Sequence, residues 1–268
     1  MLPIFYINLA SRPDRRDFMD AQLRALGLTG TRIEAVTPAD LSAEQIELYC
    51  NGDRPSFLRQ NELACTMSHE RCWQTMLDIG AEQALVFEDD VKISALLPRF
   101  LAVTPSIDAE LIRIDALGGT IRVYTVHETV ADGIGLRRFR STPIGAAGYV
   151  ITRSAAQKFL GHPALRARPV DLVLYDRFEA PGASVSRVLT DPALCQQVPK
   201  ADEQTAGIGL SNITADGVVH RYAQHHPVQN WARRTAVGVK RGVRNAVDHF
   251  AERRKGLERR IIPLAPEN

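Results

Sequence analysis

The sequence predicts an α/β fold with a mainly parallel central sheet flanked by helices. Two observations predict it: short apolar runs that suit strands buried on both faces, and helical apolar stripes that alternate with them. A chain of 268 residues also buries about 70–75% of its unfolded surface, so a core forms without disulfides or structural metal.

Pro3 to Leu9 is a continuous apolar run and reads as the first strand. Ser11 can cap the helix that follows, with Pro13 in its first turn; this helix buries Met19, Leu23 and Leu26 and stops at Gly27. Thr31 to Val36 reads as the second strand, and the stretch with Pro38, Gly52 and Pro55 as a loose excursion over the sheet edge. Asn61 caps a long helix to about Ile79, in which Cys65, Ser68, Cys72, Met76 and Ile79 form a stripe with His69 and Trp73 beside it. Ala84 to Phe87 is a short strand that runs straight into Glu88-Asp89-Asp90. Leu111 to Asp115, Ile121 to Val126 and Ile144 to Thr152 are further strands, and Arg153 to Gly161 is a helix. Past Gln197 the pattern becomes loop-rich. The expected organisation is a domain over 1–200, a connection over 201–230 and a basic amphipathic tail over 231–268.

Composition excludes several classes. With 45% hydrophobic and 24% charged residues the chain is neither collagen, coiled coil, mucin-like stalk nor wholly disordered. No stretch approaches the roughly 18 apolar residues of a membrane span. In the apolar run Leu2 to Ala10 the positive charges follow instead of preceding, the wrong order for a signal peptide, so a cytoplasmic protein is expected. Cys50, Cys65, Cys72 and Cys195 contain no CxxC pair, and Cys65 and Cys72 read as core thiols of a reducing compartment. The formal net charge of +2 hides an asymmetry: residues 231–260 carry ten Lys/Arg against three carboxylates, a net +7, which leaves −5 elsewhere. An acidic body without a recognised module excludes a nucleic-acid binder.

Four constellations carry chemistry. Glu88-Asp89-Asp90 follows a buried strand at the carboxyl edge of the sheet, where α/β proteins place ligands, and concentrated negative charge there suits a hard divalent cation, Mn²⁺ or Mg²⁺. Alternation along an extended segment lets Glu88 and Asp90 share one metal while Asp89 faces elsewhere; an acidic turn with a helix cap is the structural alternative. Asn8 to Arg16 places Arg12, Arg15 and Arg16 at a strand-to-helix junction, which suits a phosphate, though no P-loop or dinucleotide fingerprint is present. Ser68-His69 beside an apolar stripe suits a buried hydrogen-bonding pair, and no nucleophile elbow accompanies it. Gly145 and Gly148 enter an apolar strand, either for close approach of a ligand or for a bulge, and Asp171 lies beyond as a helix cap or a base.

These segments, in this order, resemble glycosyltransferase family 25 of lipooligosaccharide biosynthesis. The matching text is Asn8-Leu9-Ala10-Ser11 with Asp14-Arg15-Arg16, Glu62 to His69 with Trp73, Val86 to Val91, Gly145 to Ile151, Pro169 to Leu172 and Pro192 to Gln196, covering roughly residues 3–198. The resemblance implies a GT-A-like nucleotide-sugar-binding fold and inverting transfer of a hexose, commonly galactose from UDP-galactose, onto a saccharide acceptor. It implies Mn²⁺ or Mg²⁺ on Asp90 with Glu88 or Asp89, nucleotide or phosphate at Asn8, Arg12, Arg15 and Arg16, and Asp171 as the base. Ser68, His69, Gly145, Gly148, Tyr149 and Gln196 would shape the sugar and acceptor pocket.

The tail lies outside the resemblance. Ala236, Val239, Val243, Val247 and Phe250 sit at helical spacing with Lys240, Arg241 and Arg244 between them, a pattern suited to an anionic membrane surface and to a lipid-anchored acceptor. A peripheral place on the inner face of the cytoplasmic membrane follows from that reading; an ordinary packed helix is the alternative. Two other functions compete with the transferase: a metal-dependent nucleotide-sugar hydrolase or nucleotidyltransferase, and a catalytically silent saccharide-binding protein.

Overall fold

The computed structural model describes residues 2–199, 202, 221–252 and 256–266. Its strands are β1 (Ile4–Asn8), β2 (Thr31–Glu34), β3 (Gln83–Glu88), β4 (Val91–Ile93), β5 (Leu111–Arg113), β6 (Ile121–Ala131), β7 (Ile134–Phe139), β8 (Gly148–Thr152), β9 (Arg187–Asp191), β10 (Cys195–Gln197) and β11 (Leu257–Arg260). The helices are α1 (Pro13–Ala25), α2 (Ala43–Tyr49), α3 (Gln60–Asp78), α4 (Leu97–Val103), α5 (Arg153–Leu160), α6 (Val170–Tyr175), α7 (Arg221–His225) and α8 (Pro227–Glu252).

Nine strands form the central sheet in the order β11-β6-β7-β9-β5-β8-β3-β1-β2, and β10 pairs with β4 in a small second sheet. The sheet is mixed. β1 runs parallel to both β2 and β3, and β5 parallel to β9. β8 runs antiparallel to β3 and β5, and the β6–β7 hairpin extends the far side antiparallel to β9. This hairpin turns at Gly133, whose φ of +77° is a left-handed conformation that favours glycine.

Strand alternation sorts the core into two layers. Phe5, Ile7, Ala84, Val86 and Tyr149 face α3, α5 and α6, where they meet Trp73, Met76, Phe159 and Leu174. Ile4, Tyr6, Leu85, Phe87 and Val150 face α1 and α4, where they meet Met19, Leu23, Leu97 and Phe100.

Several local expectations are corrected. Arg12, not Ser11, occupies the cap position of α1, without a side-chain cap bond. α3 begins at Gln60, one residue before Asn61, and Glu62 accepts the Arg59 N–H at 2.8 Å. The loose stretch contains α2, opened by a capping box in which Gln45 N–H donates to Ser42 Oγ and Ser42 N–H to Gln45 Oε1. His69 and Trp73 are fully buried at the centre of the α3 stripe, whereas Ile79 is exposed. The strand expected from Ile144 starts only at Gly148, because Gly145 turns the chain at φ +86°.

The expected 201–230 connection falls largely outside the described residues, and α7 occupies 221–225. α8 touches the body through a polar face. Arg241 Nη2 donates to Asp176 Oδ2 at 2.9 Å, Arg140 Nη2 to the Asn245 carbonyl at 3.0 Å, and Arg177 pairs with Asp248. Val228, Trp231, Val239, Val243, Val247 and Phe250, three and four residues apart or a multiple of that, are all exposed. After α8, β11 joins the sheet against β6, and Ile262 and Ala265 are buried.

Candidate active site

The parallel pairing of β1 with β3 sets Ile7 opposite Glu88, so Asn8 and the acidic triplet leave the sheet side by side. A cleft of about 610 Å³ opens there. The first half of α3 walls it with Ala64, Cys65, Ser68 and His69, and Gln197 to Pro199 close another side. Asn8, Arg12, Arg15, Ser68, His69, Glu88, Asp89 and Asp90, all expected from sequence, line it together.

The three carboxylates have different surroundings. Asp89 Oδ2 accepts from Asn8 Nδ2 at 2.7 Å and its Oδ1 from Arg15 Nη1 at 3.0 Å. Asp90 Oδ2 accepts from the same Arg15 nitrogen at 3.2 Å. Gln197 Nε2 stands 3.2 Å from Glu88 Oε2 and 3.2 Å from Asp90 Oδ1, so the carboxylates two apart in sequence converge on one amide. Burial raises the pKa of Asp90 to about 7, helped by the charge of Glu88 and opposed by Arg15. Burial also raises Asp89, against the lowering effect of Asn8 and Arg15. The all-oxygen pair Glu88–Asp90, converging on one amide, fits a hard divalent cation of the Mg²⁺ or Mn²⁺ kind.

His69 belongs to a buried chain of ring contacts. Its Nδ1 lies 2.8 Å from Tyr149 Oη, which also accepts from Trp73 Nε1 at 2.9 Å. His69 Nε2 is buried with no hydrogen-bond partner and stands 3.8 Å from Glu88 Oε1. Ser68 Oγ accepts the Val36 N–H and donates to the Ala64 carbonyl, both at 2.8 Å, and so ties the chain after β2 to α3.

The structure does not bring the remaining expected residues to the cleft lining. Arg16 is a surface side chain paired with Asp17. Tyr149 is wholly buried within the core, supporting His69. Gly148 is required by packing, since a Cβ there would lie 2.4 Å from Cys195 Sγ. Gly145 donates its N–H to Asp171 Oδ2 at 3.0 Å, and Asp171 Oδ1 accepts from Leu172 N–H at 2.7 Å. The Asp171 carboxylate thereby pins the Gly145 turn to the start of α6, and its charge helps raise the pKa of Cys65 on the cleft wall. Gln196 pairs opposite Lys92 in the small sheet, and its neighbour Gln197 reaches the acidic triplet instead.

Sequence reasoning also missed Cys65. It is exposed toward the cleft, not a core thiol like the buried Cys50, Cys72 and Cys195. The available signal was its position four residues before His69, which puts both on one helical face.

An acidic, arginine-flanked cleft at the carboxyl ends of parallel strands defines an α/β enzyme built to hold a charged small ligand. The chain belongs to glycosyltransferase family 25: the model of that family, described as glycosyltransferase family 25 (LPS biosynthesis protein), matches residues 1–174. It is 30% identical over 279 residues to the lacto-N-neotetraose biosynthesis glycosyltransferase LgtB of Neisseria meningitidis serogroup B, covering 96% of this chain and 98% of that one. It is 28% identical over 187 residues to the inactive glycosyltransferase 25 family member 3 of Homo sapiens, covering 66% of this chain and 31% of that longer one. Among solved structures, a glycosyltransferase involved in the glycosylation of the major capsid of PBCV-1 is 10% identical, with a TM-score of 0.42, over 77% of this chain and 96% of that chain.

Proposed function

We propose that this glycosyltransferase moves a hexose, galactose from UDP-galactose, onto a lipooligosaccharide-type saccharide, with inversion at the anomeric carbon and dependence on Mn²⁺ or Mg²⁺. The observation that carries the reading is the joining of Asn8, Arg12 and Arg15 to Glu88, Asp89 and Asp90 in one cleft. The naming of LgtB for lacto-N-neotetraose biosynthesis supports a sugar donor and a saccharide acceptor.

Glu88 and Asp90 would hold the cation, with Asp89 alongside, and the cation would supply neutralisation of the diphosphate on the leaving nucleotide. Arg15 fixes Asp89 and Asp90 before any ligand arrives, and the Gln197 amide moves aside for the cation. Asn8 holds Asp89 in place through its side-chain amide, and Arg12, paired with Asp14, brings positive charge to the nucleotide at the end of β1. His69, oriented by Tyr149 and Trp73, shapes the sugar side of the cleft.

In this reading Asp171 takes the proton of the acceptor hydroxyl for in-line attack on the anomeric carbon, while the nucleotide diphosphate leaves with the bonding pair. Its bonds from the Gly145 and Leu172 N–H groups leave a lone pair on each oxygen to accept that proton.

α8 supports a lipid-anchored acceptor. A helix that packs through its polar face and turns Val228, Trp231, Val239, Val243, Val247 and Phe250 outward, with Arg233 and Lys240 also exposed, suits the interface of an anionic bilayer. The proposed place is peripheral, on the inner face of the cytoplasmic membrane; no helix among the described residues is long and apolar enough to cross a membrane.

The test is product analysis with UDP-galactose and Mn²⁺, with and without a saccharide acceptor. Acceptor-dependent release of UDP with a new β-linked sugar supports the transferase. Free galactose or sugar phosphate formed equally without acceptor would establish the hydrolase or nucleotidyltransferase. Donor binding without turnover would place this chain beside the inactive human relative.

A further inference from the structure

We propose that Cys65, His69 and Glu88 form a three-ligand site for a thiophilic divalent cation, Zn²⁺, on the wall of the cleft. Cys65 and His69 lie four residues apart on α3 and therefore share one helical face. Glu88 ends β3, which runs beneath that face. One ligand atom from each, the Cys65 Sγ, a His69 ring nitrogen and a Glu88 carboxylate oxygen, lie within 4.8 Å of one another.

The second observation is His69 itself. Its Nε2 is buried, has no hydrogen-bond partner and stands 3.8 Å from Glu88 Oε1, whereas Nδ1 is held by Tyr149 and through it by Trp73. A metal-binding histidine has this arrangement: one ring nitrogen fixed by an outer group, the other aimed at the ion. Sulfur and imidazole donors select Zn²⁺ over Mg²⁺ or Mn²⁺, and three protein ligands leave a fourth position open to the cleft.

Cys65 has an open side toward the cleft, which gives the ion a way in. Its crowded setting and the nearby charges of Glu88 and Asp171 hold the group as a thiol. Binding therefore exchanges a proton for the cation: the S–H bond breaks, an S–Zn bond forms, and the proton leaves to solvent. Glu88 also belongs to the pair assigned above to the hard cation. Zn²⁺ and Mn²⁺ then exclude one another, a consequence that rests on that functional reading, while the Zn²⁺ site itself does not.

The experiment uses the full metal-free chain and Co²⁺ as a spectroscopic probe, followed by Zn²⁺ in competition with a chromophoric chelator. One equivalent of Co²⁺ should produce a near-ultraviolet sulfur-to-cobalt charge-transfer band that Zn²⁺ abolishes. Cys65→Ser should lose the band and weaken Zn²⁺ by more than about 100-fold, because loss of a direct ligand exceeds loss of an outer partner. Asp90→Asn should retain both. Absence of the band in the unmodified chain, or Zn²⁺ affinity unchanged in Cys65→Ser, overturns the site. So does Zn²⁺ binding lost in Asp90→Asn but kept in Cys65→Ser, which would seat the ion on the acidic triplet. Zn²⁺ binding by a chain that binds no uridine nucleotide would leave this site standing and sink the donor reading.

Discussion

Arg15 Nη1 lies 3.2 Å from Asp90 Oδ2, joining the first helix to the end of the third strand across 75 residues of sequence. Both side chains are nearly buried, and the same nitrogen also holds Asp89. Removing one partner of such a pair leaves buried charge uncompensated, a loss of about 3–5 kcal/mol. Arg15→Met should therefore lower the thermal midpoint markedly, and Asp89→Asn with Asp90→Asn in the same background should restore part of it. A midpoint unchanged in Arg15→Met would show that the pair contributes nothing to the fold.

Stability without metal should fall as pH rises through the acid range. Burial raises both Asp90 and Asp115 from the ordinary 3.8 to about 7 in the folded chain, so the folded state holds more protons than the unfolded one between those values. Each contribution is fully present below about pH 4, shrinks as pH approaches 7 and is constant above. Urea midpoints in EDTA at pH 5 and pH 8 check the sign, and Asp90→Asn should flatten part of the slope.

Gly148→Ala should destabilise by overpacking. Its Cβ would stand 2.4 Å from Cys195 Sγ and 3.3 Å from Ile114 and Phe87, a clash that in a tight core costs about 1–3 kcal/mol. Cys195→Ala combined with it should recover most of the loss in a denaturation series. Equal loss in single and double variants would contradict the packing argument.

Much of this site was legible because it rests on local patterns. The apolar runs of β1 and β3 fix where Asn8 and Glu88 emerge, and a parallel sheet then brings their carboxyl ends together. What failed depends on parity and partners. Gln196 and Gln197 are adjacent in an extended strand and point to opposite sides, and nothing in Pro192 to Gln197 states which side faces the triplet. Tyr149 is a polar residue in the right segment, but its hydroxyl is taken by His69 and Trp73, contacts that only the packed chain reveals. Cys65 reads as one more apolar position of α3 until the cleft opens beside it.

Asp171→Asn separates two roles for that carboxylate. As the base it should cost about 10²–10⁴ in kcat, with KM for the donor little changed. If it serves only to pin Gly145, kcat should survive and the acceptor KM or the thermal midpoint should move instead.

Vesicle co-sedimentation checks α8. The full chain should bind anionic vesicles more than neutral ones and release as salt rises, and Val239→Asp with Val243→Asp should weaken binding roughly tenfold or more, given the apolar burial those side chains offer. Equal sedimentation of the variant would contradict the outward-facing stripe as a bilayer contact.

The most direct test of the account is isothermal titration with UDP and UDP-galactose, each with Mn²⁺ and with EDTA, on the unmodified chain and on Asp90→Ala. The account predicts uridine nucleotide binding that requires the metal and vanishes in Asp90→Ala. Failure of every uridine nucleotide to bind, or equal binding in EDTA and in Asp90→Ala, would contradict it.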